Sequence, residues 1–453
     1  MRRTRRELIM AVVAALLLMA GSPGSAKALP QIGAEAFQPS SNCGCHAALL
    51  EQWGASMHSK ALDDPLYLYK LEEANKATDG ALGAFCNTCH GPVATMSGEI
   101  TDLSGASAQS REGVACGFCH HVTGTGQPIA NVSQSVQADG VMRAQFDDAV
   151  SPFHETAYSG FHQTAEFCGS CHNVDHPVNG LHLESTYTEW KEGPYAPEGI
   201  VCQDCHMTPG PGVTKPYPGT AAAGGPQRDH IYQMTFAGGN VGLGDSVRAE
   251  ERLQAAATIE LRVPEVIETG TPAQAQVVIT NSGAGHFLPT GLTEVRQMWL
   301  EVTIAGEEQE PTVIGTHEFG TVLEDADGNS PVELWEAVAF ASDDRIPPKE
   351  SVTDTFDFEM PDADKVDVVA TLYYRSCTEE MADAAGVEIP TTTMASVSQP
   401  VFTSAAERAA YGRENGDGGN AIALAAAVFG LAFLTGAAWW TVRSRAKRNR
   451  AKT

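Results

Sequence analysis

Four copies of the pattern Cys-x-x-Cys-His punctuate the first half of this chain: Cys86–His90, Cys116–His120, Cys168–His172 and Cys202–His206. A fifth cluster, Cys43-Gly44-Cys45-His46, is one residue short, with Asn42 where the first cysteine of a full copy would stand. The spacing has a chemical reason. Two thiols three positions apart reach the two vinyl groups of one porphyrin, and the histidine that follows lies over the ring face, where it can ligate iron. Paired Cys-x-x-Cys units also make tetrahedral zinc sites, but a zinc ribbon does not need a histidine directly after every second cysteine. The segment is therefore expected to fold around five covalent c-type haems. Their attachment residues would be Cys43, Cys45, Cys86, Cys89, Cys116, Cys119, Cys168, Cys171, Cys202 and Cys205, and their proximal ligands His46, His90, His120, His172 and His206.

The short cluster leaves two attachment modes. Trp53 and Ser56-Met57-His58 follow it as expected after a haem motif, so His46 reads as a ligand and Cys45 as one thioether. Either the loop strains to carry Cys43 to the second vinyl group, or the haem hangs on Cys45 alone; attachment through both is the expectation. Cys377, in "LYYRSCTEE", is left over and reads as a half-buried thiol at a strand end. A Cys43–Cys377 disulfide arises only if Cys43 is not bonded to haem.

The ends of the chain indicate where such a segment would work. Residues 1–28, "MRRTRRELIMAVVAALLLMAGSPGSAKA", combine a basic start, a short apolar core and a small-x-small end, as a secretory signal cleaved before Leu29 does. Ala421 to Val442 is an apolar run long enough to cross a bilayer, closed by Trp439, Trp440 and a basic tail at 443–453. The positive-inside rule puts that tail in the cytoplasm and everything between outside, in the periplasm or on the extracellular face. Between Leu29 and Asn420 there are 18 Lys plus Arg against 55 Asp plus Glu, a formal balance of −37. So acidic a surface repels nucleic acid and favours redox partners with basic docking faces.

Composition divides the part between. Residues 29–240 hold all five clusters, many Gly and Pro, and few long apolar periods, so a haem-packed, mostly helical or irregular domain is expected. Residues 253–402 alternate with period two, as in Met298, Leu300, Val302, Ile304 and in Val366, Val368, Ala370, Leu372, broken by "TGTP", "AGEE" and "DADGN". That pattern predicts an all-β, immunoglobulin-like sandwich. A polar, Gly-rich linker at 403–420 and a single transmembrane helix at 421–442 complete a multidomain chain.

The haem segment resembles multihaem cytochromes of the c-552/c-554 type, with a looser likeness to the hydroxylamine-oxidoreductase-related group. The matching stretches are "CHAALLEQWGASMHSKA", "SPFHETAYSGFHQTAEFCGSCHNV" and "TYTEWKEGPYAPEGIVCQDCHM". "TNSGAGHFLPTG" and "DDRIPPKES" are similar to a sandwich appended in membrane-anchored relatives. The resemblance implies electron transfer through closely packed, mainly bis-His haems. It also points to His58, His154 and His162 as distal ligands, since they lie in these stretches at helical distances from the motifs. His230 and His286 come next; His286 on its Gly-rich loop would tie the two domains together. His121, His176, His182 and His317 read as surface or supporting residues. Met234 stands where a relative would carry His, and reads as a core methionine.

Two functional classes fit. One is an electron carrier with every iron six-coordinate. The other is an oxidoreductase acting on a small nitrogen or sulfur compound at one five-coordinate haem, which needs an open axial position with acid–base groups beside it. The availability of histidines favours the carrier, and no Cys-x-x-Cys-Lys motif is present.

Overall fold

The computed structural model describes residues 29–101, 103–307 and 309–414. The motif-bearing half is built from short helices and two-stranded ribbons. Its longest helix, Pro65–Thr78, starts where the sequence prescribes: the Asp64 side chain accepts from the Leu66 N–H at 3.0 Å, and Pro65 opens the first turn. It stops at Asp79, which takes the left-handed conformation with φ 52°. Peptide alone buries little here. One cluster gathers around Phe37, Val93, Met96 and Phe118, and a smaller one joins Ile129, Ala165 and Tyr187. Between them runs a continuous, mostly apolar cavity of about 1810 Å³ that touches cysteines and histidines of every motif.

The second half closes on its own side chains. Strands β1 (Ala257–Arg262), β2 (Pro272–Asn281), β3 (Gln297–Gly306), β4 (Thr312–Phe319), β5 (Ser351–Glu359), β6 (Lys365–Arg375) and β7 (Thr392–Phe402) form two antiparallel sheets. Their orders are β4-β3-β6-β7 and β5-β2-β1. Alternation puts Met298, Leu300 and Val302 of β3, Val366, Val368, Ala370 and Leu372 of β6, and Ala275, Val277 and Ile279 of β2 into one fully buried core. Register matches side chains across the strands, with Leu300 opposite Leu372 and Val302 opposite Ala370. A one-residue slip would turn this whole set to solvent.

The helix Ser246–Ala256 joins the halves. Asp245 caps it through the Arg248 N–H at 3.2 Å, and it runs directly into β1. Ala249, Leu253 and Ala256 face the sandwich core, while Arg248 and Arg252 donate to the Pro209 and Thr208 carbonyls at 3.1 and 3.2 Å. The inter-domain orientation is thus fixed by polar bonds on one helix face and apolar burial on the other.

Several expectations are corrected. The linker at 403–420 begins as a helix, Ala405–Glu414, because "AAERAAYGRE" is rich in strong helix formers and Ser404 Oγ receives the Glu407 N–H at 3.2 Å. Of the histidines read as surface or supporting residues, His121 and His176 are the buried, supporting kind. Cys377 is fully buried, packed with Leu66, Ala382 and Ile389, while the Cys43 thiol faces Cys116, so no Cys43–Cys377 bridge exists. Among the described residues no helix is long and apolar enough to cross a membrane. The expected signal at 1–28, the end of the linker, the span at 421–442 and the tail at 443–453 lie outside the described residues.

Candidate haem sites

In the motif at Cys168, one α-turn closes the loop: the His172 N–H donates to the Cys168 carbonyl four residues back at 3.0 Å. In the short cluster, the His46 N–H donates to the Cys43 carbonyl three residues back at 2.8 Å, within the 3₁₀ turn Gly44–His46. The missing residue is thus absorbed by tightening the turn. The first cysteine and the histidine keep the same backbone relation in both forms.

Each motif histidine is held by Nδ1. The acceptors are the carbonyls of Ala221 for His46 at 2.7 Å, Ala61 for His90 at 3.1 Å, Arg143 for His120 at 2.7 Å and Ala237 for His206 at 2.7 Å. His172 faces the Glu184 carboxylate instead, at 3.4 Å. With Nδ1–H donating to a carbonyl, Nε2 carries the lone pair that a metal takes, so His46, His90, His120 and His206 are set in the ligating tautomer, while His172 must first lose a proton from Nε2. Although burial opposes it, the Glu184 carboxylate raises His172 to about 9, making it an unusually basic ring.

Opposite four of these rings stands a second imidazole. Centroid separations are 6.4 Å for His46 and His154, 6.2 Å for His172 and His58, 5.9 Å for His120 and His162, and 6.1 Å for His206 and His286. These are not stacking contacts, for which Tyr67 on His90 supplies the local standard at 3.7 Å. Two imidazole–metal bonds of about 2 Å each, plus roughly 1 Å from each nitrogen to its ring centre, give ~6 Å between centroids. The pairs have the separation that one iron between them requires. Burial lowers His58 to about 3, and His162 and His206 to about 4, which keeps the rings neutral as ligands must be. Three distal rings are oriented through Nδ1: His154 by the Glu155 carbonyl at 3.1 Å, His162 by Ser159 Oγ at 2.9 Å and His286 by the Phe287 carbonyl at 2.9 Å. His162 Nε2 also lies 3.0 Å from the Cys119 carbonyl, a contact that ligation would replace.

His90 differs. Its neighbour is the Tyr67 ring, whose hydroxyl donates to Asn87 Oδ1 at 2.6 Å, and among the described residues no second histidine ring pairs with it. His230 is not brought to a motif histidine. Among the described residues its ring contact is with Tyr232, and its Nδ1 accepts from the Tyr217 N–H at 2.9 Å. Met234 lines the cavity, and its N–H donates to Gln52.

Sequence reasoning passed over Glu184, Tyr67 and Glu294. No spacing marks a carboxylate that a different element brings to a histidine. Glu294, just before β3, buries both carboxylate oxygens without a well-formed hydrogen bond among the described residues. Burial pushes its carboxyl up to about 7, and Lys70 and Arg296 pull it partly back. Between its ordinary value near 4.3 and 7 the folded protein binds more protons there than the unfolded chain, so stability falls as pH rises through that window. Each pH unit across it is worth about 1.4 kcal/mol. Glu294→Gln should therefore gain thermal midpoint over the parent between pH 5 and pH 8 and hold that gain above; a gain of equal size at pH 5 would refute this.

Residues 42–121 match the family described as cytochrome c554 and c-prime. The chain is also similar in fold to the crystal structure of a penta-haem cytochrome c552 from Thermochromatium tepidum, with a TM-score of 0.59 and 19% identity over 83% of this chain and 100% of that one. The motif-bearing half thus matches a c-type cytochrome family over residues 42–121, and the chain shares the fold of a multihaem cytochrome. It has weaker overlaps with the CARDB domain of a Pyrococcus furiosus protein (TM-score 0.18, 16% identity, 32% of this chain and 85% of that one). Another is with a superoxide reductase from Ignicoccus hospitalis (TM-score 0.17, 12% identity, 36% and 90%). No curated protein matches the chain.

Proposed function

We propose that this chain conducts electrons outside the cytoplasm through five covalently bound haems, held to the membrane by residues 421–442. The four imidazole pairs near 6 Å carry this reading, because an iron with two imidazoles has no position left for a substrate. The attachment residues support conduction. Thiols of different motifs meet in the pairs Cys43–Cys116, Cys89–Cys171 and Cys168–Cys202, so haems attached there would be held close to one another. The similar cytochrome c552 is a penta-haem protein, and this chain carries five motifs. The acidic exposed part suits a basic redox partner.

His90 supports a second reading, an oxidoreductase acting on a small nitrogen or sulfur compound, since no histidine faces it among the described residues. One experiment separates the two. Intact mass should give five haems per chain, and the reduced carrier should bind no more than one equivalent of carbon monoxide and leave nitrite and hydroxylamine untouched. Sustained turnover of either compound at the carbon-monoxide-binding haem would replace the carrier reading with the enzyme. A mass showing four haems and an alkylatable Cys45 would overturn the assignment of the short cluster.

A further inference from the structure

The sandwich loop that bears His286 is gripped by a buried carboxylate of the other domain. Glu189 lies on the helix Thr186–Glu192 and is 6% exposed. Its Oε2 accepts the Phe287 N–H at 3.1 Å and the Thr290 hydroxyl at 2.6 Å, and its Oε1 accepts Arg345 Nη1 at 2.5 Å. Arg345 in turn lies 5.1 Å over the Phe287 ring and clasps Asp343 with its remaining donors at 2.8 Å. From the sandwich side, Asn281 Nδ2 donates to the His286 carbonyl at 2.8 Å.

The helix also reaches the motif histidines. Its start is tied to a neighbouring motif, the Tyr187 N–H donating to the His172 carbonyl at 3.0 Å. Tyr187 and Trp190, three residues apart, pack in the cluster that includes Val201 and Cys202, the first cysteine of the motif that ends at His206. Thr186 and Glu189, also three apart, face the His286 loop, with Thr186 Oγ1 2.9 Å from Thr290 Oγ1. One short helix therefore sets the distance between His206 and His286.

We propose that Glu189 is a positioning residue for a haem ligand: its carboxylate holds the sandwich loop in the place where His286 reaches the iron shared with His206. This rests on the reading of His286 as a ligand. The bond is inter-domain and buried, so removing the carboxylate leaves the Phe287 N–H without its acceptor and Arg345 with Asp343 as its remaining acidic partner. The loop must then shift toward water, and His286 moves with it. The inference gives the sandwich a definite task, completing the coordination of a haem housed in the other domain.

The test uses the full-length holoprotein and reads the spin state. Glu189→Ala should convert one haem per chain from low to high spin, add one equivalent of carbon monoxide binding over the parent, and return to low spin when imidazole is added. Should that variant fail to take up its haems, Glu189→Asp decides, since it keeps the charge but draws the carboxylate back by about one C–C bond and should give a partial conversion that imidazole reverses. A parent-like spectrum and carbon monoxide stoichiometry in whichever variant assembles overturns the proposal. His286→Ala serves as the reference: if it leaves every haem as in the parent, the ligand reading itself falls, which is distinguishable from a failure of Glu189 alone.

Discussion

Produced without haem, the protein should split into a folded and an unfolded half. Residues 253–402 should keep a β-sheet circular dichroism spectrum and survive limited proteolysis, whereas residues 29–240 should be digested within the first minutes. The reason is the location of apolar burial. In the sandwich, β2, β3 and β6 bury their own side chains completely. In the motif half the peptide clusters are small and line a cavity of about 1810 Å³. If each haem buries on the order of 400 Å² of apolar surface, it contributes on the order of 10 kcal/mol at about 25 cal/mol per Å². That is as large as the whole net stability of a typical domain, roughly 5–15 kcal/mol. Protection of residues 29–240 in the haem-free chain would show that peptide packing alone suffices there.

His286→Ala should change the spectrum as much as loss of any of the other three paired histidines, His58, His154 or His162. Its ring stands 6.1 Å from His206 at an angle of 17°, and the smaller side chain would leave an iron held between them with one protein ligand. The expected outcome is one high-spin haem per chain, a higher midpoint potential for that haem and one more equivalent of bound carbon monoxide. Imidazole in solution should restore the low-spin state. An unchanged spectrum would make His286 an ordinary loop histidine.

The haem chemistry was legible in the sequence because it is written locally. A Cys-x-x-Cys-His run needs only one turn of backbone to present its two thiols and its ring, so five residues hold the information. The alternation of the sandwich strands is also local, and it reappears as the buried rows of β3 and β6. The short cluster shows the limit of local reading. The missing residue was visible, but the 3₁₀ turn that brings His46 back over the Cys43 carbonyl is a backbone outcome.

Pairing is another matter. His154 meets His46 across more than a hundred residues, and His286 meets His206 across the domain boundary, while His230, equally plausible by residue type, has its ring contact with Tyr232. Buried Glu189 and Glu294 look in the sequence like any of the many acids of an acidic surface. The sequence by itself marked the cysteine–histidine motifs and the sheet-rich second half, since each depends on neighbours within one turn or one strand. Only the tertiary structure decided which rings stand opposite one another, that His90 stands beside Tyr67 instead, and that a carboxylate of one domain places a histidine of the other. Those relations depend on the dry interior and on contacts between residues far apart in the chain, where burial changes what a side chain can do.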